Sequence, residues 1–223
     1  MAHYYYKIYS PWSRTDIKSK TVNTEVFSDE YVEMLQNINW IGTEKVDGMN
    51  VNLYYDGNHI QFLGHTDKTQ FDKEVKDFLD SLITPEREQI LEQIFGEKEA
   101  FICGELIGPK IQNNYYSLTE YKIFVFDVYC KTTDTYWEYK YTKELAEYIG
   151  FDFVPVFDIG SLNDIKNTVK RTPSSSVNDK INVEIEGIVI KPEHELKKAN
   201  GERIIYKVKI CDLLGRKPMK IKE

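Results

Sequence analysis

Cysteine is scarce in this chain, and what there is does not pair up. Cys103, Cys130 and Cys211 make three. That odd number, without metal-ligand spacing, speaks against a disulfide framework or a zinc knuckle and for a reduced, cytoplasmic protein. No stretch approaches the roughly 18 apolar residues needed to span a bilayer. Met1-Ala2-His3-Tyr4-Tyr5-Tyr6 lacks the basic-then-apolar order of an export signal, so no membrane partner is expected. Positive charge is short as well: a net charge of −7 argues against a protein that grips nucleic acid through its total charge. The basic residues gather late, with Lys207, Lys209, Arg216, Lys217, Lys220 and Lys222 set against Asp212 alone. Such a tail can guide a phosphate backbone locally, or it can simply be a solvated terminus. Repeats and clear linkers are missing too, and 223 residues read as one domain, 1–223.

Strand-like runs fill the centre. Residues 41–46, 50–55 and 59–63 alternate as strands, with Asp56-Gly57 as a hairpin signal. Helical spacing covers 28–37 and 71–83; Thr84-Pro85 then opens a helix to Phe95 that Gly96 ends. Strands return at 100–107 and 121–131, helices at 142–149 and 161–170, the last with Ser161 and Asp164 as a capping pair. Residues 172–179 form a Ser/Pro/Asn-rich loop. Two strands, 183–191 and 203–210, close the chain. The pattern predicts an α+β fold rich in antiparallel sheet.

Five short stretches carry chemistry. In Glu44-Lys45-Val46-Asp47-Gly48-Met49-Asn50 a lysine ends an apolar strand just before a glycine bend, with Asp47 on its face by alternation. To act as a nucleophile, an amine of reference pKa about 10.4 must shed its proton, which nearby cations, metal or burial promote. Glu105 lies inside the apolar run 101–107, and Glu186 heads Gly187-Ile188-Val189-Ile190. A carboxylate in such a run needs a partner, and the pair favours a metal or ribose site, with Mg²⁺ suited to carboxylate oxygens and waters. Lys207 and Lys209 point the same way along a strand, where an anion between them relieves their repulsion. Phe124 and Phe126 are expected on one strand face and Val125 and Asp127 on the other, which suits a core and also a platform for a purine.

In this order, the stretches resemble the covalent nucleotidyltransferases, polynucleotide ligases and mRNA capping enzymes, and among them the RNA ligase 2 family. The resemblance rests on Glu44 to Asn50, on Gly104-Glu105-Leu106-Ile107-Gly108-Pro109-Lys110-Ile111-Gln112, on Phe124-Val125-Phe126-Asp127-Val128, on Glu186 to Pro192, and on Asn200-Gly201-Glu202-Arg203 leading into Tyr206-Lys207-Val208-Lys209. Tyr6-Lys7-Ile8-Tyr9-Ser10 also looks like the family's opening.

The resemblance implies a nucleotidyltransferase domain with flanking helices and a central nucleotide cleft, using ATP with Mg²⁺ or Mn²⁺. Lys45 would take AMP from ATP, pass it to a 5′-phosphate, and a 3′-hydroxyl would displace it. Glu105 would bind ribose, Phe126 stack on adenine, Glu44 sit by the adenine, and Asn50 lie near the phosphate. Glu186 would organise the metal, Asp47 act on it from the outer sphere, Lys207 and Lys209 hold the α-phosphate, and Lys191 contact phosphate. Where the family usually carries an arginine, this chain has His65, which reaches less far and is not a fixed cation. Family members usually continue into a C-terminal domain, and here the chain ends soon after Lys209. A homodimer or an accessory protein is the expected substitute. The expected substrates are RNA ends or a nicked duplex, in a bacterial or phage-infected cell. The alternatives are a DNA ligase or other 5′-adenylyltransferase, a capping guanylyltransferase, and a non-catalytic nucleotide- or RNA-binding protein.

Overall fold

A computed structural model describes residues 5, 7–16, 19–66 and 68–221. Tyr6 of the opening motif, Asp67 of the turn after His65 and Lys222 of the basic tail lie outside the described residues. The elements run β1 (Trp12–Arg14), β2 (Val22–Phe27), α1 (Glu30–Leu35), β3 (Trp40–Glu44), β4 (Met49–Tyr55), β5 (Ile60–Gly64), α2 (Lys73–Ser81), α3 (Pro85–Phe95) and β6 (Ala100–Ile107). They continue with β7 (Lys122–Cys130), β8 (Thr135–Tyr136), α4 (Tyr139–Tyr148), β9 (Asp152–Phe153), β10 (Val156–Gly160), α5 (Leu162–Lys170), β11 (Gly187–Pro192), β12 (Tyr206–Lys209) and α6 (Ile210–Leu214). Every pairing between these strands is antiparallel except β7 with β9. The expected α+β class holds.

The chain divides into two compact units, with one boundary between Val46 and Asp47, inside the Lys45-to-Gly48 stretch. The first unit holds residues 47–153 with the extreme N-terminus. Its sheet has the order β5-β4-β6-β7-β8, with β9 beside β7. Strict alternation in β4 sends Val51, Leu53 and Tyr55 to one side, where Val75 and Leu79 of α2 and Leu91 and Phe95 of α3 cover them. Each such side chain contributes about 1.5–3 kcal/mol on burial. The two helices start where their caps dictate. Asp72 accepts from the Val75 amide at 2.9 Å, and Thr84 accepts from the Arg87 amide ahead of Pro85.

The second unit holds residues 7–46 and 154–223. Its main sheet has the order β10-β3-β11-β12, and β1 pairs with β2 separately. Trp40, Ile188, Ile190 and Val208 pack with Ile165 and Val169 of α5 in its core. Helix α5 begins at the expected capping box of Ser161 and Asp164.

Four expectations needed correction. Helix α4 starts at Tyr139, three residues before Thr142, because its N-cap Glu138 makes no side-chain cap bond and leaves no mark in the sequence. The two closing strands are shorter than expected, and residues 210–214 form helix α6. Strands β1, β8 and β9, of three, two and two residues, are too short to read without partners, and two longer ones, β2 with no fully buried residue and β10, were also unread. Finally, β7 carries a bulge: Cys103 pairs with Asp127 but Gly104 pairs with Val125. Phe126 is therefore the extra residue, and Phe124 and Asp127 share the face of Glu105 and Cys103.

Candidate active site

In the second unit, β-sheet register collects the charged residues. Val189 pairs with Thr43 on one side and with Lys207 on the other. The Lys45 amide donates to the Gly187 carbonyl at 2.9 Å, and Gly187 pairs with Lys209. One row across the sheet is thus Lys45, Gly187 and Lys209, and the next is Thr43, Val189 and Lys207. Gly187 has no room for a side chain, since a Cβ there would collide with the Val208 carbonyl. Its position leaves the two flanking lysines facing a bare stretch of backbone.

Glu186 lies just before this row and joins its ends. Its Oε2 is 2.5 Å from Lys45 Nζ and its Oε1 is 2.5 Å from Lys209 Nζ. Burial pushes the Glu186 carboxyl up, but the two lysines outweigh it and hold it below its ordinary range. Burial works against the charge of Lys209 as well, and the bond and attraction to Glu186 more than offset it, so its pKa is raised. Lys207 goes the other way: burial, then repulsion from Lys209 and Lys45, lowers it. Three ammonium groups around one carboxylate leave an excess of positive charge, and an anion bound there stabilises all of it.

Glu44 points to the opposite face from Lys45, as strand neighbours must. It is 2% exposed, and its carboxylate accepts from Ser175 Oγ at 2.6 Å and from the Ser176 amide at 3.4 Å. Burial raises its pKa to about 7, and those two bonds pull the other way. Lys191 continues the lysine face of β11, but its amine is buried 3.6 Å from Glu195, which also binds Arg203 through two nitrogens at 3.0 and 2.6 Å. It is therefore held by a carboxylate away from the Lys45 row. The basic tail is also tied down: Arg216 takes the buried Glu184 carboxylate with both terminal nitrogens, at 2.6 and 2.8 Å. Lys217 and Lys220 keep exposed side chains.

The first unit holds Asp47, Asn50, His65, Glu105 and Phe126. The bend after Lys45 is gripped by side chains at each turn. The Asp47 amide donates to the Tyr116 hydroxyl at 2.8 Å, the Gly48 amide to Glu105 Oε1 at 3.1 Å, and Gln112 Nε2 to the Gly48 carbonyl at 3.2 Å. A Cβ at Gly48 would strike the Leu106 carbonyl, so only glycine fits. Asn50 pairs with Glu105 across the strands. Phe126 meets the ring of Tyr5 edge-on at 5.1 Å, while the Tyr5 hydroxyl donates to Asp127. His65 is exposed just past the end of β5, at the sheet edge.

Sequence reasoning missed Ser175 and Tyr116. Ser175 stood in a loop whose composition signals only irregular structure, and nothing marked its hydroxyl as a partner for Glu44. Gln112 was inside a recognised motif, yet its role as a brace for Gly48 depends on the left-handed turn at Gln112, Asn113 and Asn114, with φ of 45°, 56° and 49°.

These elements define the α+β nucleotidyltransferase fold. The RNA ligase family model matches residues 38–209, and the chain belongs to the RNA ligase family. Among solved structures it is similar to Naegleria gruberi RNA ligase. A mutant apo form matches at a TM-score of 0.62 and 18% identity, over 81% of this chain and 52% of that one. A mutant with ATP and Mn matches at 0.62 and 20%, over 80% and 52%. The form with PPi matches at 0.61 and 20%, over 80% and 51%. Likeness at these identities shows the fold, and the chain spans about half the length of those structures. None of the curated proteins compared matches the sequence. Among the described residues, no helix is long and apolar enough to cross a membrane.

Proposed function

We propose that this chain is an ATP-dependent RNA ligase that joins 3′-hydroxyl and 5′-phosphate ends. The observation that carries the reading is the Glu186 carboxylate clasped between Lys45 and Lys209, with Lys207 in the next row of the sheet. Lys45 Nζ, once deprotonated, attacks the α-phosphorus of ATP. A P–N bond forms, the bond to the bridging oxygen breaks, and pyrophosphate leaves. A 5′-phosphate oxygen then displaces the lysine and carries AMP away. Last, a 3′-hydroxyl attacks that 5′ phosphorus, sealing the strand and releasing AMP.

Lys209 and Lys207 hold the α-phosphate and neutralise charge that builds in the transition state. Glu105, Phe126 and Asn50 serve the ribose, the adenine and the phosphate respectively, and His65 stands in for an arginine. Asp47 would help hold the metal, whose charge would offset that of the phosphates. Glu44 stays behind Lys45, holding the 175–176 loop, and Lys191 serves the fold through Glu195. The donor set suits a metal that arrives with its nucleotide: Glu186 offers one carboxylate, and Mg²⁺ or Mn²⁺ commonly completes its shell with phosphates and water. Such an ion supplies neutralisation of the triphosphate.

The two units together count as one nucleotidyltransferase domain in this reading. A cytoplasmic setting, RNA partners, and a second copy or accessory protein to help grip RNA belong to the same proposal. The test is incubation with radiolabelled ATP and Mg²⁺, then a chase with 5′-phosphorylated RNA and DNA ends in parallel. Label on the protein that moves to RNA and is sealed there supports the reading. Equal sealing of all-DNA nicks would replace it with a DNA ligase, and GTP labelling in place of ATP with a capping-type enzyme.

A further inference from the structure

Glu186 meets the lysines against the run of its own strand. Along β11, Ile188 and Ile190 go to the core, while Gly187, Val189 and Lys191 take the other face. Simple alternation would send Glu186 to the core beside Ile188. Ile185 is buried in that core instead, and the chain bends at Glu186. The bend turns the carboxylate toward Lys45 and Lys209. Its place therefore depends on what holds the backbone at either side of it.

One edge of this stretch is held by residues 173–175. The Ser175 amide donates to the Val183 carbonyl at 2.7 Å, and the Ile185 amide to the Pro173 carbonyl at 3.0 Å. The other edge is interrupted. Lys209 of β12 stands opposite Gly187, and the Ile210 amide donates to the Glu186 carbonyl at 3.1 Å. The chain then leaves the strand as α6 and turns at Gly215, with φ of 69°. It comes back to the same edge just before the bend. There the Glu184 amide donates to the Met219 carbonyl at 2.9 Å, and the Ile221 amide to the Asn182 carbonyl at 2.8 Å. Arg216 closes the interruption: its terminal nitrogens take both oxygens of the Glu184 carboxylate. The two ends of α6 are thus fastened to two acids of one strand, Lys209 to Glu186 and Arg216 to Glu184.

We infer that Arg216 is a positioning residue for nucleotide transfer: its grip on Glu184 fixes the bend that sets Glu186 between Lys45 and Lys209. The inference rests on the proposed reading that Lys45 takes AMP from ATP. Two parallel bonds to one carboxylate fix direction as well as distance, which a single ammonium does not. Without them the 184–186 backbone keeps its bonds to residues 173–175 but loses its hold on the α6 side. Glu186 then drifts, and the Lys45 amine drifts with it. A reacting group displaced by about 1 Å can lose roughly 100-fold in rate.

The test is covalent labelling of the full chain with radiolabelled ATP, at a temperature where near-UV circular dichroism shows each protein folded. In Arg216→Ala the rate at saturating ATP should fall by about 10- to 100-fold, while KM for ATP stays near its wild-type value. Arg216→Lys should recover part of the rate. Val32→Ala removes buried volume from α1 in the same unit and should label at the wild-type rate while folded. Hydrogen exchange in Arg216→Ala should rise more over residues 182–187 than over α5. A folded Arg216→Ala that labels at the wild-type rate would overturn the inference. So would an equal slowing in Val32→Ala, or exchange that rises evenly over both segments. If the wild-type protein takes up no AMP, the ligase reading fails separately, and the exchange result alone decides whether Arg216 holds the bend.

Discussion

Glu44 gives the fold a pH dependence whose size can be worked out. Its carboxyl is 2% exposed and rises from 4.5 to about 7, burial being the main cause. Each unit corresponds to 1.36 kcal/mol, so the difference between folded and unfolded chains is about 3 kcal/mol to order of magnitude. The sign follows from the direction. The folded state holds this proton more tightly than the unfolded one, so its contribution is fully present below 4.5, declines as pH rises, and is gone above about 7. Glu44→Gln keeps an acceptor for the Ser175 hydroxyl and removes the titration. Urea unfolding of both proteins, at about pH 4.5 and about pH 8, isolates this one group. The advantage of the glutamine variant should grow by about 3 kcal/mol between the two conditions. Two proteins whose stabilities change in parallel with pH would refute the claim that Glu44 ionises against burial.

Other substitutions probe the supports of the site. Arg216→Ala takes both guanidinium bonds from the Glu184 carboxylate, 3% exposed, which keeps the Met219 amide, and should cost about 3 kcal/mol in urea unfolding; lysine at that position should recover only part, because it cannot make both bonds. Glu184 is held below its ordinary range chiefly by its bond to Arg216, so this stability is present above the unfolded carboxyl pKa and lost as pH falls through the folded one. Gly48→Ala should lower the midpoint of thermal unfolding and slow covalent labelling, because its methyl meets the Leu106 carbonyl and Glu105.

The parts that were legible in the sequence share a physical cause. Helix α2 announced itself through its helical spacing, and α3 and α5 through Thr84-Pro85 and Ser161 with Asp164, where Thr84 and Ser161 bond their own first turn. Strand β6 matched its expected bounds because its apolar run is long. Glu105 and Glu186 were marked by the same logic, a charge in an apolar run that must find a partner. Both do, the Gly48 amide and the pair of lysines. What stayed hidden depends on distant pairing. The bulge at Phe126 exists only relative to β6, and Ser175 meets Glu44 across 131 positions of chain. The fate of Lys191 likewise needed Glu195 and Arg203 to be seen beside it.

The central claim is that Lys45, at the end of the row shared with Gly187 and Lys209, is the residue that takes up the nucleotide. Incubating the protein with ATP and Mg²⁺, digesting it and sequencing the modified peptide by mass spectrometry tests that claim directly. AMP should appear on Lys45 through an acid-labile bond, and Lys45→Ala should take up none while remaining folded. AMP on any other residue, or a wild-type protein that stays unmodified across the metals and pH values tried, would contradict it.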